Sequence, residues 1–149
     1  MTRIEYHPYF VKQFETATNE EALPEEILGE IMALITALER DGHDIEHESQ
    51  DAPSHPFMIS RFRVYALRRT PATIATPHAL TPPVIRIPYV WCWDSAIGEE
   101  FALVLLLGDK TGLGRTWYNK AKIKIENELI PEWERTHTNQ RAIPKHGGA

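Results

Sequence analysis

A chain of 149 residues, 42% hydrophobic and 25% charged, is long enough for one domain with its own core. No apolar run approaches the roughly 20 residues of a membrane span. The opening MTRIEYHPYF lacks a signal-peptide pattern, and the single cysteine, Cys92, reads as a buried thiol with no disulfide partner, so the cytoplasm is favoured. The net charge of −5 is unevenly spread: residues 1–57 carry 3 Lys/Arg against 13 Asp/Glu, whereas residues 58–124 carry 10 against 4. Either a basic middle stands ready for a polyanion, or the charges mix in three dimensions and no patch forms.

In chain order, RIEYHP alternates as a short first strand. Pro8 suits a helix start, and Tyr9, Phe10, Phe14 and Ala17 fall roughly on one face of the helix that follows. LPEEILGEIMALITALERDG is the clearest helix. Pro24 sits in its first turn, Glu25 and Glu26 complement the N-terminal dipole, Gly42 stops it, and Ile27, Leu28, Ile31, Leu34, Ile35 and Leu38 form a core stripe.

Residues 43–56 are polar and read as a loop. FMISRFRVYALRR reads as a strand, TPATIATPHALTPP as a proline-rich loop or flap, and VIRIPYVWCWD as a second strand in which Pro88 demands an edge or a bulge. After the turn SAIGEE, the apolar strand FALVLLLG predicts burial on both faces. RTWYNKAKIKIENELIPEWERTH is a closing helix, kinked or ended near Pro131. The sequence therefore predicts an α+β fold. An N-terminal strand and two helices pack on an antiparallel β-sheet meander with a C-terminal helix, residues 1–135 form a single domain, and 136–149 form a flexible tail.

Three patterns bear on chemistry. GDKTGLGR, after the last strand, puts Lys110-Thr111 two residues behind Gly108 and follows Gly114 with Arg115, which fails the spacing of a phosphate-binding P-loop. HDIEH, at 43–47, has the residue order of a zinc peptidase, but it follows the helix stop Asp41-Gly42 and reads as a surface loop, so no metal is expected. The third pattern is basic: Arg61, Arg63, Arg68, Arg86, Lys110 and Arg115, with Tyr118, come from two strands, a turn and the last helix. On one face of a meander they would suit RNA cleavage without a metal. That chemistry needs a base for the 2′-hydroxyl, cations for the phosphorane and an acid for the 5′-oxygen. Arginine clamps phosphate oxygens in pairs, and Trp117 could stack on an unpaired base. The plainer alternative is that these arginines simply face solvent.

VYALRR (Val64–Arg69), VIRIPYVW (84–91), ALVLLLGDKTG (102–112) and WYNKAKI (117–123) follow one another in an order seen elsewhere. From about residue 23 to 135 the chain resembles the RelE/ParE toxin superfamily, and within it the HigB-like toxins of actinobacteria and their phages. The LLLGDKTG…WY block is the most specific, resembling a LLxGGDKxGxWxxWY signature with one glycine fewer. The resemblance implies the toxin of a type II toxin–antitoxin system, a ribosome-dependent mRNA endonuclease (mRNA interferase) that inhibits translation without a cofactor. Its partners would be mRNA on the ribosome and a small antitoxin of helix-turn-helix type, with no membrane involved.

Carried across, Arg86 stabilises the transition state, Lys110 lies on the basic turn, and Tyr118 contacts substrate or moves a proton. Arg68 matches the arginine of an ELR motif, and Arg61, Arg63, Arg115 and Trp117 complete the substrate-binding set. A tyrosine acting as base would need a nearby cation, such as Lys110 or Arg115. The strand lysines of RelE would fall on Val64 and Ala66. That departure and the acidic N-terminal third favour one alternative, a non-catalytic binding protein of the same fold; a ParE-like inhibitor of gyrase, with the same fold and a protein target, is another.

Overall fold

The computed structural model describes residues 1–47, 61–69, 84–109 and 115–145. Strand β1 (Arg3–Tyr6) leads into helices α1 (Pro8–Asn19) and α2 (Glu25–Asp41), then strands β2 (Val64–Arg69), β3 (Ile85–Asp94), β4 (Glu99–Val104) and β5 (Gly108–Asp109). Helix α3 (Arg115–Lys124) continues through a π-helical turn into α4 (Ile130–Thr136), and β6 (Gln140–Ala142) follows. The described strands form one sheet ordered β1-β4-β3-β2, with β5 and β6 also on β3. β2, β3 and β4 make the predicted antiparallel meander, and β1 lies parallel to β4, which makes the sheet mixed.

Helices cover both faces of this sheet. On one face, Phe10, Ile31, Ile35 and Leu38 of the helical pair pack on Leu67, Ile87, Tyr89, Trp91, Ala102 and Val104. On the other, Ala121, Ile125, Leu129 and Trp133 pack on Val64, Ala66, Val90, Cys92, Phe101 and Leu103. Strands buried on both sides have no polar face, which is why IRIPYVWC and FALV read as continuous apolar runs. The Cys92 thiol lies in this core, and burial pushes its pKa up.

Pro88 sits in the central strand, and it does so at a bulge. Tyr89 pairs with Val104 but Arg86 pairs with Gly108, so residues 105–107 lie opposite only Ile87 and Pro88. The Pro88 carbonyl faces this bulge and accepts from Leu105 N–H at 2.9 Å, so its missing N–H falls where the ladder is already interrupted. The apolar run expected as one strand is split there into β4 and β5.

The closing helix does not end at Pro131. Residues Ile125–Leu129 take a π-turn, and Ile130 N–H bonds the Ile125 carbonyl. A proline at position 131 has no donor to offer the preceding turn, and the wider turn absorbs that loss. His7 caps α1 and also reaches this helix. Its Nδ1 accepts from Tyr9 N–H at 3.0 Å, which leaves Nε2 to donate to the Leu129 carbonyl at 3.1 Å.

The expected tail is in part a strand. Residues 140–142 pair with β3 beyond the end of β2, on the same edge, and Phe62 bridges to Pro144. Gln140 and Arg3 both donate to the buried Asp94 carboxylate, and the Arg3 hydrogen bond holds that carboxyl below its usual range. HDIEH likewise forms a short 3-10 helix rather than a loop. The described part of FMISRFRVYALRR enters the sheet only at Val64. The proline-rich segment 70–83 lies outside the described residues.

Candidate functional site

One register line across the sheet gathers the residues that matter. Arg68 of β2 is opposite Arg86 of β3, and Arg86 is opposite Gly108 of β5. Trp91 N–H bonds back to Arg63, so the odd-numbered residues of β3 bond toward β2 and the even ones toward β4 and β5. Arg68 and Arg86 are thus a non-hydrogen-bonded pair, with Cα atoms about 4.5 Å apart and side chains on one face. Two like charges so placed oppose folding.

Arg86 is only 6% exposed. Its Nε donates to the Tyr118 hydroxyl at 3.0 Å, and its Nη1 donates to the Ile85 carbonyl at 2.9 Å. Among the described residues no carboxylate pairs with it, and Nη2 makes no hydrogen bond. A buried guanidinium is ordinarily matched by an acid. This one is supported by a phenol and a carbonyl, with donor capacity left over. Because Tyr118 accepts from Arg86, its own proton points away from the guanidinium, and any negative charge on the phenol oxygen would rest on that guanidinium. Arg86, from the strand, is thus a cation on Tyr118, while Lys110 and the Arg115 side chain, which the sequence suggested, lie outside what the structure describes.

Trp117 completes the line from the other side. A Cβ on Gly108 would run into the Trp117 indole, so the glycine makes the seat in which that ring lies. Trp117 and Tyr118 meet edge to face, with centroids 5.0 Å apart at 80°. Arg68, Arg86 and the indole therefore occupy successive strand positions, each about 4.8 Å from the next, with the Tyr118 hydroxyl on the middle one.

Arg61 and Arg63 are not part of this cluster. Residues 61–63 precede β2, so Arg63 and Arg61 stand roughly 17 and 23 Å from Arg68 at the usual rise of an extended strand. There, Arg61 lies with its guanidinium 5.0 Å from the centre of the Phe62 ring, the Arg61 backbone N–H donates to the Glu126 carboxylate, and the Arg63 backbone N–H donates to the Ile143 carbonyl. Lys110 lies outside the described residues. Arg115 opens α3. Among the described residues no three His, Cys, Asp or Glu side chains gather as metal ligands. His43 of the HDIEH segment stacks on Trp91 with centroids 3.7 Å apart and contacts Glu100.

A groove of about 520 Å³ that the motifs did not announce lies at the same end of the sheet, between α1 and β5. Its one sequence trace is α1 itself, where Tyr9 and Lys12 stand on turns next to the core positions Phe10 and Ala17.

No protein-family model, curated protein or solved structure matches the chain. What the fold and site define is an α+β protein whose sheet carries a buried arginine against a tyrosine, with no acid paired to it among the described residues. No helix among the described residues is long and apolar enough to cross a membrane.

Proposed function

We propose that this protein is a RelE-like toxin, an endoribonuclease that cuts mRNA on the ribosome in the cytoplasm and is neutralised by a cognate antitoxin. One observation carries the assignment: Arg86 is buried with no carboxylate partner among the described residues, is hydrogen-bonded to Tyr118, and stands beside Arg68. A fold tolerates two adjacent guanidiniums and an unmatched buried charge most readily if an anion completes them, and a phosphodiester offers the two-oxygen edge that arginine prefers. In the reaction the 2′-oxygen bonds to phosphorus as the bond to the 5′-oxygen breaks. One proton leaves the 2′-hydroxyl and one reaches the 5′-oxygen. Arg86 and Lys110 would meet the charge on the phosphorane, Arg68 and Arg115 would hold the flanking backbone, and Tyr118 would exchange a proton or position the phosphate.

A second assignment, a binding protein of the same fold without cleavage, is favoured by Val64 and Ala66. Both are buried beneath α3 where RelE carries lysines. Induced expression in a bacterial host, with mapping of ribosome-bound mRNA ends, separates the two. Growth arrest with new mRNA ends, both relieved by Arg86→Ala, is expected. A harmless wild type that leaves mRNA intact rules out the nuclease.

A further inference from the structure

We propose that Gln13 of α1 is a positioning residue for the site on the opposite face of the sheet. It holds β5 from the α1 side, and β5 carries both the seat of Trp117 and the strand partner of Arg86. This rests on the ribonuclease assignment above. Gln13 is a polar residue in an apolar stripe. It stands one helical turn from Phe10 and one from Ala17, both buried, so its side chain is directed at the strands. A polar group placed there costs stability unless its hydrogen bonds are made.

Those bonds are made, and to a single residue. The Gln13 amide donates to the Leu107 carbonyl at 2.9 Å and accepts from the Leu107 N–H at 2.8 Å. Leu107 belongs to the bulge, where residues 105–107 lie opposite only Ile87 and Pro88. On the other side of the chain, β1 has already left the sheet. Its pairing with β4 ends at Tyr6 and Val104, and His7 N–H makes the last bond, to the Val104 carbonyl. The Gln13 amide, with one donor and one acceptor, stands in for the strand that is missing beyond that point. Among the described residues the Leu107 backbone has no other hydrogen-bond partner.

From Leu107 the constraint passes along the backbone to its neighbour. Gly108 pairs with Arg86, and the space its absent Cβ leaves is where the Trp117 indole lies. Trp117 meets Tyr118 edge to face, and the Tyr118 hydroxyl accepts from Arg86. Trp117 and Tyr118 pack on the face of the sheet away from Phe10, so the route from Gln13 runs through β5 itself. That strand is only two residues long, and few ladder bonds hold it. Asp109 fastens one end by accepting from Val84 N–H, and Gln13 fastens the other. A displaced β5 moves the indole seat, and with it the start of α3 and the phenol on the guanidinium. Misplacing reacting groups by about 1 Å costs on the order of 10²-fold in rate.

The test compares the wild type with Gln13→Met, which keeps an unbranched chain and removes both bonds, and Gln13→Glu, which keeps the acceptor and removes the donor. Each is labelled with 5-fluorotryptophan, and the resonances of the four indoles are followed by fluorine NMR, with Trp117 assigned through Trp117→Phe. The KM and rate constant for cleavage of ribosome-bound mRNA are measured beside them. Gln13→Met is expected to move the Trp117 resonance and to leave Trp91 and Trp133, toward the other end of β3, in place. Its cleavage rate constant should fall by about 10–100-fold at unchanged KM. Gln13→Glu should fall between the two in both readouts, and it carries the test if Gln13→Met does not fold. An unmoved Trp117 resonance or a wild-type rate constant overturns the positioning role, as does equal movement of all four resonances, which would make Gln13 a residue of general stability. A wild type that leaves mRNA intact overturns the ribonuclease assignment and with it the part of Gln13 in cleavage, while the Trp117 resonance still reads the link from Gln13 to the seat.

Discussion

Exchanging Arg86 for methionine separates two explanations of its buried charge. If the guanidinium serves only the fold, its bonds to Tyr118 and the Ile85 carbonyl each contribute about 1.5–3 kcal/mol, because one partner is charged. Their loss would then destabilise the protein by about 3–6 kcal/mol. If the charge is held for a ligand, the fold carries several kcal/mol of desolvation with no acid to offset it. It also carries repulsion from Arg68 directly opposite, of up to about 1 kcal/mol. Methionine keeps an unbranched chain in the slot and removes both penalties. On this account Arg86→Met is neutral to stabilising by up to about 2 kcal/mol. In a domain of this size that shifts Tm by roughly 0 to +8 °C. Cleavage of ribosome-bound mRNA should fall by about 10²–10³-fold, as when a single transition-state donor is removed. Thermal and urea unfolding beside the cleavage assay read both quantities. A Tm lower by more than about 6 °C, with cleavage at the wild-type rate, refutes the reasoning and makes Arg86 a structural residue.

Gly108→Ala forces a Cβ into the Trp117 indole and should cost about 1–3 kcal/mol, read by urea unfolding; Trp117→Phe in the same chain should recover part of the loss, and no recovery would mean that the ring is not what the methyl meets. Burial lowers the pKa of His7, so the folded protein takes up its proton less readily than the unfolded chain, where histidine titrates near 6.5. The stability contributed by neutral His7 is therefore full above about pH 6.5 and is lost as pH falls from there toward the depressed folded value. His7→Asn can still cap α1 but gives up the Leu129 bond. We expect it to be about 1 kcal/mol less stable at pH 8 and to lose part of the acid dependence below about pH 6.5. An unchanged pH slope in urea midpoints would exclude His7 as the source.

The elements legible from the sequence were those whose burial follows a local period. The stripe from Ile27 to Leu38 and the alternation through Val64 and Ala66 each state their own partner surface. Pro88 was legible as a disturbance, and the missing N–H did coincide with a bulge. What stayed hidden depends on space left by other elements. QRA is short and polar, and it becomes a strand because β2 stops short and leaves the edge of β3 at Cys92–Asp94 unpaired. HDIEH has no apolar period, yet its first histidine finds the face of Trp91.

At the candidate site, chemistry pointed to a set of cations, and family resemblance alone ranked Arg86 and Tyr118 within it. Trp117 was expected to stack on a base, and the seat it takes against Gly108 shows a packing role that nothing within nine residues of local sequence announces. Arg61 and Arg63 fit the same charge pattern as Arg68, and only strand length separates them from it.

His7 bonds a carbonyl 122 residues away, and β1 lies against β4 rather than against anything near it in sequence. Contacts that close loops of this size form late, since most of the chain must be ordered before they return any stabilisation. The opening strand cannot pair as it does in the fold before β4 has been made, and His7 cannot make its second bond before Leu129 has. Tyr118 precedes Leu129 in the chain, so the arginine and the phenol can meet before the frame around them is closed.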